Sequence, residues 1–390
     1  MRTNGTMKVC HITSAHRRYD VRIFEKQCVS LAKHGYDVTL LVNDRSGDER
    51  VKGVKILSTG IPGENRKDRF LHGKKALLKR AIEVNAQIYQ LHDPDLLGLG
   101  LKLKKAGKKV VFDSHEDVPA SITTKKWIPG FLRGPAYRLY SGYEKRAVSR
   151  LDGVISVTPH IVNRLAEKAE RAELITNYPI IEERISDEEN ILKGDQRSEL
   201  KDIDEMVEIP ICFAGGITAQ WNHHLILEAI KDLQGIQYHL AGSGSREYLE
   251  ELKKHPGWKK VKFYGRVSHG EVKEIYEKSQ IGIALNYAKQ IEGQGTLGNT
   301  KLFEYMEAEL PILCTEYTLW KELVEKNRCG IAINPRDIDA IRDGIERLTA
   351  DPDFPEEMGK RGRKAVVEEY NWKTQEEKLL RFYEKVLTEA

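Results

Sequence analysis

Strand-like apolar runs alternate with helix-like segments along nearly the whole chain, and this alternation constrains the fold more than any other feature. KVCHIT at 8–13 and DVTLLV at 37–42 are the first such runs, and the alternation continues to residue 178. Strands that alternate with helices are typical of a parallel sheet covered by helices on both faces. The pattern stops in the acidic stretch 179–205 and restarts with IPICFAGG at 209–216. We therefore predict an α/β protein of two Rossmann-like, doubly wound domains that face a cleft.

The length of the chain agrees with this division. Its 390 residues suffice for two domains, each of which can bury its own apolar core. We predict an N-terminal domain at 1–178, a linker or irregular segment at 179–205 and a C-terminal domain at 206–370. The last helix, at 371–390, is expected to pack back on the N-terminal domain.

Apolar runs and cysteines indicate the compartment. No run approaches the roughly 18–20 apolar residues that span a bilayer, and the first residues carry no hydrophobic signal segment. The five cysteines form no Cys-x-x-Cys pair, so neither a disulfide framework nor a zinc site is expected. We expect a cytoplasmic protein.

The two halves of the chain have opposite charge. Residues 1–180 hold 33 Lys and Arg against 19 Asp and Glu, whereas the remainder holds 30 against 40. A basic half is compatible with nucleic acid, an anionic membrane surface or an anionic substrate. Residues 123–150 interleave basic side chains with aromatic ones such as Trp127 and Phe131, as in a helix that lies on anionic lipid. Inward packing of these aromatics is the alternative. No nucleic-acid module is recognisable, so nucleic acid is not an expected partner.

Polar clusters follow two neighbouring predicted strands of the first half. HDPD at 92–95 and DSHED at 113–117 contain His92, Asp93, His115 and Glu116, which are expected to converge on the cleft unless they only cap local turns. Asp-x-Asp in HDPD fits a metal-binding pattern, but the same pattern recurs at DID and DPD elsewhere, so no metal is expected. The loop SAHRRYDVR at 14–22 carries arginines that suit a phosphate group or are simply solvated.

Glycine-rich segments mark the second half. GSGS at 242–245 lies between a strand and a helix, where backbone amides can receive an anion, although its glycines alone would also permit a tight turn. The segment 292–313 is more specific, because a glycine-rich loop precedes a helix that carries Asn299, Lys301 and Glu304. Amides and a lysine suit a diphosphate, and a carboxylate one turn later suits ribose hydroxyls. An ordinary amphipathic helix is the alternative.

Several segments together resemble a known family over nearly the whole chain. HITSAHRRYDVRIFEKQCVSLAKHGYDVTLLV, LHDPDLLGLGLKLKKAGKKVVFDSHEDVP, VKFYGRVSHGEV and NTKLFEYMEAELPIL are similar to glycosyltransferases of the family 4 type, which have the GT-B fold. They look like the branch of bacterial enzymes that assemble cell-surface polysaccharides. The resemblance implies a nucleotide-diphospho-sugar donor bound by the second domain and an acceptor bound by the first.

The resemblance also implies roles for individual residues. His115 matches the histidine that faces the transferred sugar, Glu304 the contact to the ribose, and Gly265 to Val267 the surroundings of the nucleobase. The candidate catalytic residues are His115, Lys301 and Glu304. The candidate donor-binding residues are Gly216, Gly242, Gly244, Gly265, Arg266, Val267, Glu292, Gly295, Thr296, Leu297 and Asn299. The candidate acceptor-binding residues are Arg17, Arg18, Asp20, Arg22, His92, Asp93 and Glu116.

Two features depart from the family pattern. The family's paired glutamates have seven residues between them, which places the first at Thr296, whereas eleven residues separate the nearest candidate, Glu292, from Glu304. The family's usual arginine and lysine after the first strand of the second domain fall on Gly216 and Trp221. Lys301 or Arg266 is then expected to supply the missing positive charge.

The resulting expectation is a sugar transferase that acts on a lipid-linked or saccharide acceptor in cell-surface polysaccharide synthesis. The resemblance implies retention at the anomeric carbon, while an inverting reaction would need a base such as Asp20 or Glu116. No metal or other cofactor is expected. A nucleotide-sugar epimerase of the same fold and a non-catalytic donor-binding subunit are the alternatives. Attachment through residues 123–150 would place the protein on the inner face of the cell membrane.

Overall fold

The computed structural model describes residues 6–63, 69–125, 127–181, 208–287, 295–350 and 353–388. Contacts within the chain divide it into two compact units. The first unit is Met1–Asn177 together with Trp372–Ala390, and the second is Tyr178–Asn371. The linker was expected at 179–205, and residues 182–205 of it lie outside the described residues.

The first unit is built on an eight-stranded sheet in the order β3-β4-β2-β1-β5-β6-β7-β8, in which only the β3–β4 pair is antiparallel. Every residue of the central strand β5 is buried, as expected for a strand covered on both faces. The strands are β1 Lys8–Ile12, β2 Asp37–Val42, β3 Glu49–Val51, β4 Val54–Ser58, β5 Ile88–Leu91, β6 Lys109–Ser114, β7 Gly153–Ser156 and β8 Ala172–Leu174.

Helices connect these strands. A π-helical stretch, Val21–Cys28, begins where the Asp20 carboxylate accepts hydrogen bonds from the backbone N–H groups of Arg22 and Ile23, both at 2.9 Å. The α-helices of this part are α1 Val29–Lys33, α2 Lys74–Val84, α3 Leu97–Lys105, α4 Val118–Thr124, α5 Gly130–Val148 and α6 Pro159–Ala166.

The second unit contains a six-stranded, wholly parallel sheet in the order β11-β10-β9-β12-β13-β14. Its strands are β9 Ile209–Ile217, β10 Ile236–Gly244, β11 Val261–Gly265, β12 Ile281–Ala284, β13 Ile312–Thr315 and β14 Gly330–Ile333. Its helices are α7 His223–Ile230, α8 Arg246–Lys253, α9 His269–Glu277, α10 Lys301–Glu307, α11 Thr318–Asn327, α12 Ile338–Thr349 and α13 Asp353–Glu368.

The last helix, α14 Trp372–Thr388, belongs to the first unit. Leu379 and Phe382 are buried in the same core as the β-strand residues of the first sheet. Phe382 packs so closely on β7 that a Cβ at Gly153 would lie 2.6 Å from its ring. The chain therefore returns to the first sheet after it has completed the second. None of the described helices combines the length and the apolar character that crossing a bilayer requires.

Candidate active site

A buried carboxylate lies at the carboxyl end of β6 in the first unit. Asp113 accepts hydrogen bonds from Arg22 Nε at 3.0 Å and Arg22 Nη2 at 2.8 Å, and from Gln27 Nε2 at 2.7 Å. Burial alone would raise the pKa of Asp113, but Arg22 and the neighbouring histidines hold it well below its usual range. Arg22 also donates to the carbonyl oxygen of Ile175 at 2.8 Å. The expectation that Arg22 contacts an acceptor is wrong, because its buried guanidinium is committed to Asp113.

Two histidines flank this carboxylate. His92 Nδ1 and His115 Nε2 each lie 3.3 Å from Asp113 Oδ2, and they lie 3.3 Å from each other. Burial lowers the pKa of His92 to about 4, so its imidazole is neutral near pH 7. The ends of β5 and β6 thus bring together the polar clusters of HDPD and DSHED.

Metal binding by this trio is disfavoured by its surroundings. The ligand atoms of His92, Asp113 and His115 lie within 4.8 Å of one another, which is close enough for a metal ion. However, the Arg22 guanidinium already binds both oxygens of Asp113, and a cation at the same carboxylate would be repelled by it. The geometry suits a hydrogen-bonded cluster.

Asp93 stabilises the loop that follows β1. Its carboxylate accepts hydrogen bonds from Thr13 Oγ1 at 2.7 Å and from the backbone N–H of Ser14 at 2.6 Å, and His16 Nδ1 lies 3.2 Å away. The His16 ring also stands 4.7 Å from the His115 ring, centroid to centroid. Sequence reasoning missed His16, although it lies inside the segment SAHRRYDVR that we singled out.

A cavity of about 540 Å³ opens beside these histidines. Glu116 lines it together with His115, as do Lys125 and Tyr140 from the region of α4 and α5. Tyr140 Oη is buried and has no hydrogen-bond partner within the described ranges. The cavity therefore combines a histidine, a cation, a carboxylate and an unsatisfied hydroxyl, a set that suits a hydroxylated ligand.

The remaining arginines of the loop at 14–22 differ in exposure. Arg18 is buried and forms ion pairs with Asp44, at 2.7 Å, and with Glu49. The expectation that Arg18 contacts an acceptor is therefore wrong, because two carboxylates already bind its guanidinium. Asp20 caps the π-helical stretch with its carboxylate, whereas Arg17 is exposed.

Glycines at the strand ends of the second unit allow a close backbone approach. GSGS belongs mainly to β10, which runs to Gly244 and pairs with β9 so that Gly242 stands opposite Gly215. A Cβ at Gly242 would lie 1.7 Å from the Gly215 carbonyl oxygen, and one at Gly244 would lie 2.3 Å from that of Ile217. Strand pairing therefore explains the glycines at 242 and 244 without a ligand, and their part in donor binding stays a prediction. Gly216, by contrast, has no heavy atom within 4 Å of its Cβ position.

Lys301 brings a partly buried ammonium to this strand end. Its Nζ donates to the Ala214 carbonyl oxygen and lies 4.5 Å from the centroid of the Phe213 ring and 5.5 Å from that of Trp221. Burial lowers the pKa of Lys301, an effect that nearby Glu304 opposes. Across the part of the chain that the structure describes, no carboxylate lies within ion-pair distance of this ammonium. Lys301 thus contacts Trp221, the residue that occupies the position of the family's lysine.

Glu304 lies one turn after Lys301 on α10. Its Oε2 accepts from the Tyr276 hydroxyl at 3.1 Å, and its Oε1 accepts from Thr300 Oγ1 at 2.7 Å. Glu304 and Tyr276 line a cavity of about 250 Å³. Because a carboxylate offers about four acceptor sites, Glu304 retains acceptor capacity for ligand hydroxyls.

The segment before α10 is held by its own polar groups. Thr296 Oγ1 accepts from the Gly298 N–H at 3.0 Å, and Asn299 Oδ1 accepts from the Lys301 N–H at 3.1 Å. Gly295 has a φ of +70°, and a Cβ there would lie 2.6 Å from Tyr317. The predicted donor residues here shape the approach to α10, and Leu297 packs partly buried against the core. Glu292 lies outside the described residues.

The predicted nucleobase-binding residues follow β11. Gly265 ends this strand with a φ of +67°, in the left-handed region that favours glycine. Arg266 is exposed, and Val267 packs partly buried against the core of the second unit. No contact among the described residues tests their part in nucleobase binding.

The basic, aromatic segment 123–150 exposes much of its apolar surface. Phe131 is 80% exposed, Leu139 78% and Trp127 67%, while Lys126 lies outside the described residues. An apolar groove of about 510 Å³ runs beside Trp127 and Leu139. Of the two readings of this segment, inward packing is wrong for these three side chains.

Comparison with known proteins identifies the family. Residues 22–178 match the model described as Glycosyltransferase Family 4, and residues 195–365 match Glycosyl transferases group 1. An uncharacterized glycosyltransferase of Methanocaldococcus jannaschii is 28% identical over 167 residues. That match spans 42% of this chain and 41% of the relative's length.

Solved structures agree with this assignment in fold. Sucrose-phosphate synthase from Thermosynechococcus elongatus has a TM-score of 0.73 at 16% identity, with 98% of this chain and 100% of that chain covered. Anabaena HepE in complex with UDP and glucose scores 0.68 at 12% identity, with coverages of 97% and 100%. WaaG, a glycosyltransferase involved in lipopolysaccharide biosynthesis, scores 0.67 at 14% identity, with coverages of 98% and 100%. The predicted pair of Rossmann-like domains is confirmed, and the chain belongs to the family 4 type glycosyltransferases (EC 2.4) and has their GT-B fold.

Proposed function

We propose that the protein transfers a sugar from a nucleotide-diphospho-sugar to a lipid-linked or saccharide acceptor, with retention, in cell-surface polysaccharide synthesis. The observation that carries this proposal is the Lys301 ammonium, which has no carboxylate within ion-pair distance in the described ranges. A charge removed from water requires a compensating partner. A diphosphate beside Gly216 would supply that partner, because the space at its Cβ position is open.

The second unit would bind the donor through charges on one short helix. Lys301 neutralises negative charge that develops on the diphosphate when the glycosidic bond breaks, and Glu304 accepts hydrogen bonds from the ribose hydroxyls. A preorganised cation stabilises the leaving group directly, so that the proposed reaction requires no metal. The complexes of Anabaena HepE with UDP and with UDP-glucose support a donor of this class.

The first unit would bind the acceptor and the transferred sugar beside His115. Its cavity of about 540 Å³ is lined by His115, Lys125 and Tyr140. Tyr140 offers a buried hydroxyl without a hydrogen-bond partner in the described ranges, and Lys125 offers a positive charge. These groups can bind the hydroxyls of a sugar acceptor, and Lys125 can bind a phosphate attached to it.

A lipid-linked acceptor would bring the protein to a membrane surface. Trp127, Phe131 and Leu139 expose large apolar side chains in a basic segment, which is the composition of a surface that rests on anionic lipid. The involvement of WaaG in lipopolysaccharide biosynthesis supports an acceptor of this kind. We therefore propose peripheral attachment to the cytoplasmic face of the cell membrane.

We propose retention because the family resemblance implies it, and an inverting reaction would need a base such as Asp20 or Glu116. Asp20 Oδ1 accepts two backbone hydrogen bonds at the start of the π-helical stretch, which fixes the position of that carboxylate. Glu116 lines the cavity and remains the base that an inverting reaction would use. A product with inverted anomeric configuration would contradict the retaining mechanism. Loss of that product in Glu116→Gln would identify Glu116 as the base.

A thermal-shift screen of nucleoside diphosphates and their sugar conjugates tests donor binding. A ligand at 100 times its Kd stabilises the protein by about 2.7 kcal/mol. We expect one nucleoside diphosphate to stabilise the wild type and the Lys321→Ala control, but not Lys301→Ala. Lys321 is a suitable control because it lies in the same unit and, among the residues that the structure describes, pairs with Glu325, four residues away on α11. Equal stabilisation of all three proteins would contradict the role of Lys301.

A further inference from the structure

A ring of hydrogen-bonded side chains joins the last helix to the cavity of the first unit. It contains one carboxylate, two amides, one phenol and three imidazoles, and all of its members except His115 are buried. In order around the ring they are Asp113, Gln27, Gln90, Tyr383, His11, His92 and His115.

The Asp113 carboxylate determines the orientation of both amides. An ionised carboxylate only accepts, so Gln27, 2.7 Å away, presents its NH₂ to Asp113 and its Oε1 to Gln90. Gln90 consequently donates its own NH₂ to Gln27. Gln90 Oε1 is left to face Tyr383, whose hydroxyl lies 2.5 Å away.

The hydrogen bond from Tyr383 to Gln90 determines which nitrogens of His11 and His92 carry protons. Because Gln90 Oε1 only accepts, the Tyr383 hydroxyl donates to it, and the Tyr383 oxygen is an acceptor for His11 Nε2, 3.3 Å away. Burial holds the pKa of His11 well below its usual value, so the His11 imidazole is neutral and has a single N–H group. That N–H is at Nε2, which faces the Tyr383 oxygen. His11 Nδ1 then accepts from His92 Nε2 at 2.9 Å, which leaves His92 Nδ1 without a proton.

The crowding at Asp113 agrees with an unprotonated His92 Nδ1. Asp113 Oδ2 already accepts from Arg22 Nε and Gln27 Nε2, which equals the roughly two acceptor sites of one carboxylate oxygen. A further donor from His92 would exceed that capacity. His115 Nε2 therefore has the unprotonated His92 Nδ1, 3.3 Å away, as its acceptor.

We propose that Tyr383 is a positioning residue that, through His11 and His92, fixes His115 as its Nε2–H tautomer. Nδ1 of this tautomer then serves as the acceptor for a hydroxyl of the transferred sugar. The contact with sugar rests on the proposed function, whereas the tautomers are properties of the protein without substrate. Loss of the Tyr383 hydroxyl frees His11 to move its proton to Nδ1. His92 then carries its proton on Nδ1, and His115 Nε2 loses the acceptor that faces it.

Nitrogen-15 NMR of the substrate-free wild-type protein tests the assignment directly, because the two nitrogens of a neutral imidazole have distinct shifts. Signals are assigned by single substitution of each histidine. We expect Nε2–H tautomers at His11, His92 and His115. A protonated Nδ1 on neutral His92 would overturn the proposal, whatever the activity of the enzyme.

Removal of the phenol hydroxyl tests the relay. In Tyr383→Phe we expect His11 and His92 to change to Nδ1–H and kcat to fall about tenfold, with little change in KM for the donor. Tyr36→Phe is the matched control, since the Tyr36 ring packs against Tyr383 at 6.2 Å without belonging to the ring of hydrogen bonds. Unchanged tautomers in folded Tyr383→Phe would contradict the relay. Predicted tautomers in a wild type that transfers no sugar would instead contradict only the proposed function.

Discussion

Replacement of Arg22 tests whether the buried ion pair organises the first unit. Arg22→Leu keeps the aliphatic bulk but removes three hydrogen bonds, two to Asp113 and one to the Ile175 carbonyl. Both charged side chains are nearly inaccessible to solvent, with exposures of 5% and 0%. Removal of one partner of such a pair leaves an uncompensated charge and costs about 3–5 kcal/mol. We expect a loss of that size in the free energy of unfolding.

Calorimetry and urea titration measure this loss. For a unit of about 200 residues, 1 kcal/mol corresponds to roughly 2–4 °C, so Arg22→Leu should lower the Tm of the first unit by about 6–20 °C. Arg17→Leu removes the same charge from an exposed position five residues earlier and is the matched control. A Tm change in Arg22→Leu no larger than that in Arg17→Leu would refute the reasoning.

The pH dependence provides an internal check on the same variant. The pKa of Asp113 is held well below its usual range, so its ionised pairing stabilises the protein above pH about 4 and is lost as pH falls through the depressed pKa. Arg22→Leu removes that stabilisation. The difference in the free energy of unfolding between the wild type and Arg22→Leu should therefore be largest near pH 7 and become smaller below pH about 4. If that difference does not depend on pH, the lost stability comes from packing and not from the ion pair.

Other consequences concern donor, metal and membrane. Glu304→Ala should raise KM for the donor by roughly 10- to 100-fold in steady-state kinetics, since charged hydrogen bonds contribute about 1.5–3 kcal/mol, while Glu277→Ala, on the rim of the same cavity, should change it little. Equal KM values in the two variants would contradict the ribose contact. Transfer should persist after dialysis against excess EDTA, and abolition with rescue by manganese would contradict a metal-free reaction. Phe131→Ser and Leu139→Ser should each weaken co-sedimentation with anionic vesicles by roughly tenfold or more, whereas Ile82→Ser, at an exposed position on α2, should not. Equal binding of all three variants would contradict attachment through α5.

The parts of the fold that follow from local pattern were predictable. Parallel strands buried on both faces are continuous apolar runs, so the alternation along the chain predicted both sheets, and the ends of β5 and β6 were correctly placed together. The family motifs also marked Lys301 and Glu304. These signals are local, because each depends on side chains within one element and its flanking loop.

Long-range pairing explains what sequence reasoning missed. Arg22 and Asp113 are 91 residues apart, and no local pattern distinguishes a buried guanidinium from a solvated one. No local pattern shows that Gly242 and Gly244 stand opposite Gly215 and Ile217 of β9. Tyr383 lies 293 residues from Gln90 and reaches it only because α14 returns to the first sheet.

Transfer of radiolabel from a panel of nucleotide-diphospho-sugars tests the central claim most directly. Purified protein is incubated with each labelled donor and a lipid extract or oligosaccharide acceptor, and the products are separated and counted. We expect one donor to yield a labelled glycoconjugate and free nucleoside diphosphate in equal amounts, at a rate reduced about 100-fold in Lys301→Ala but retained in Lys321→Ala. Conversion of the donor to an epimeric nucleotide sugar without acceptor, or binding without any turnover, would contradict the claim that this protein is a sugar transferase.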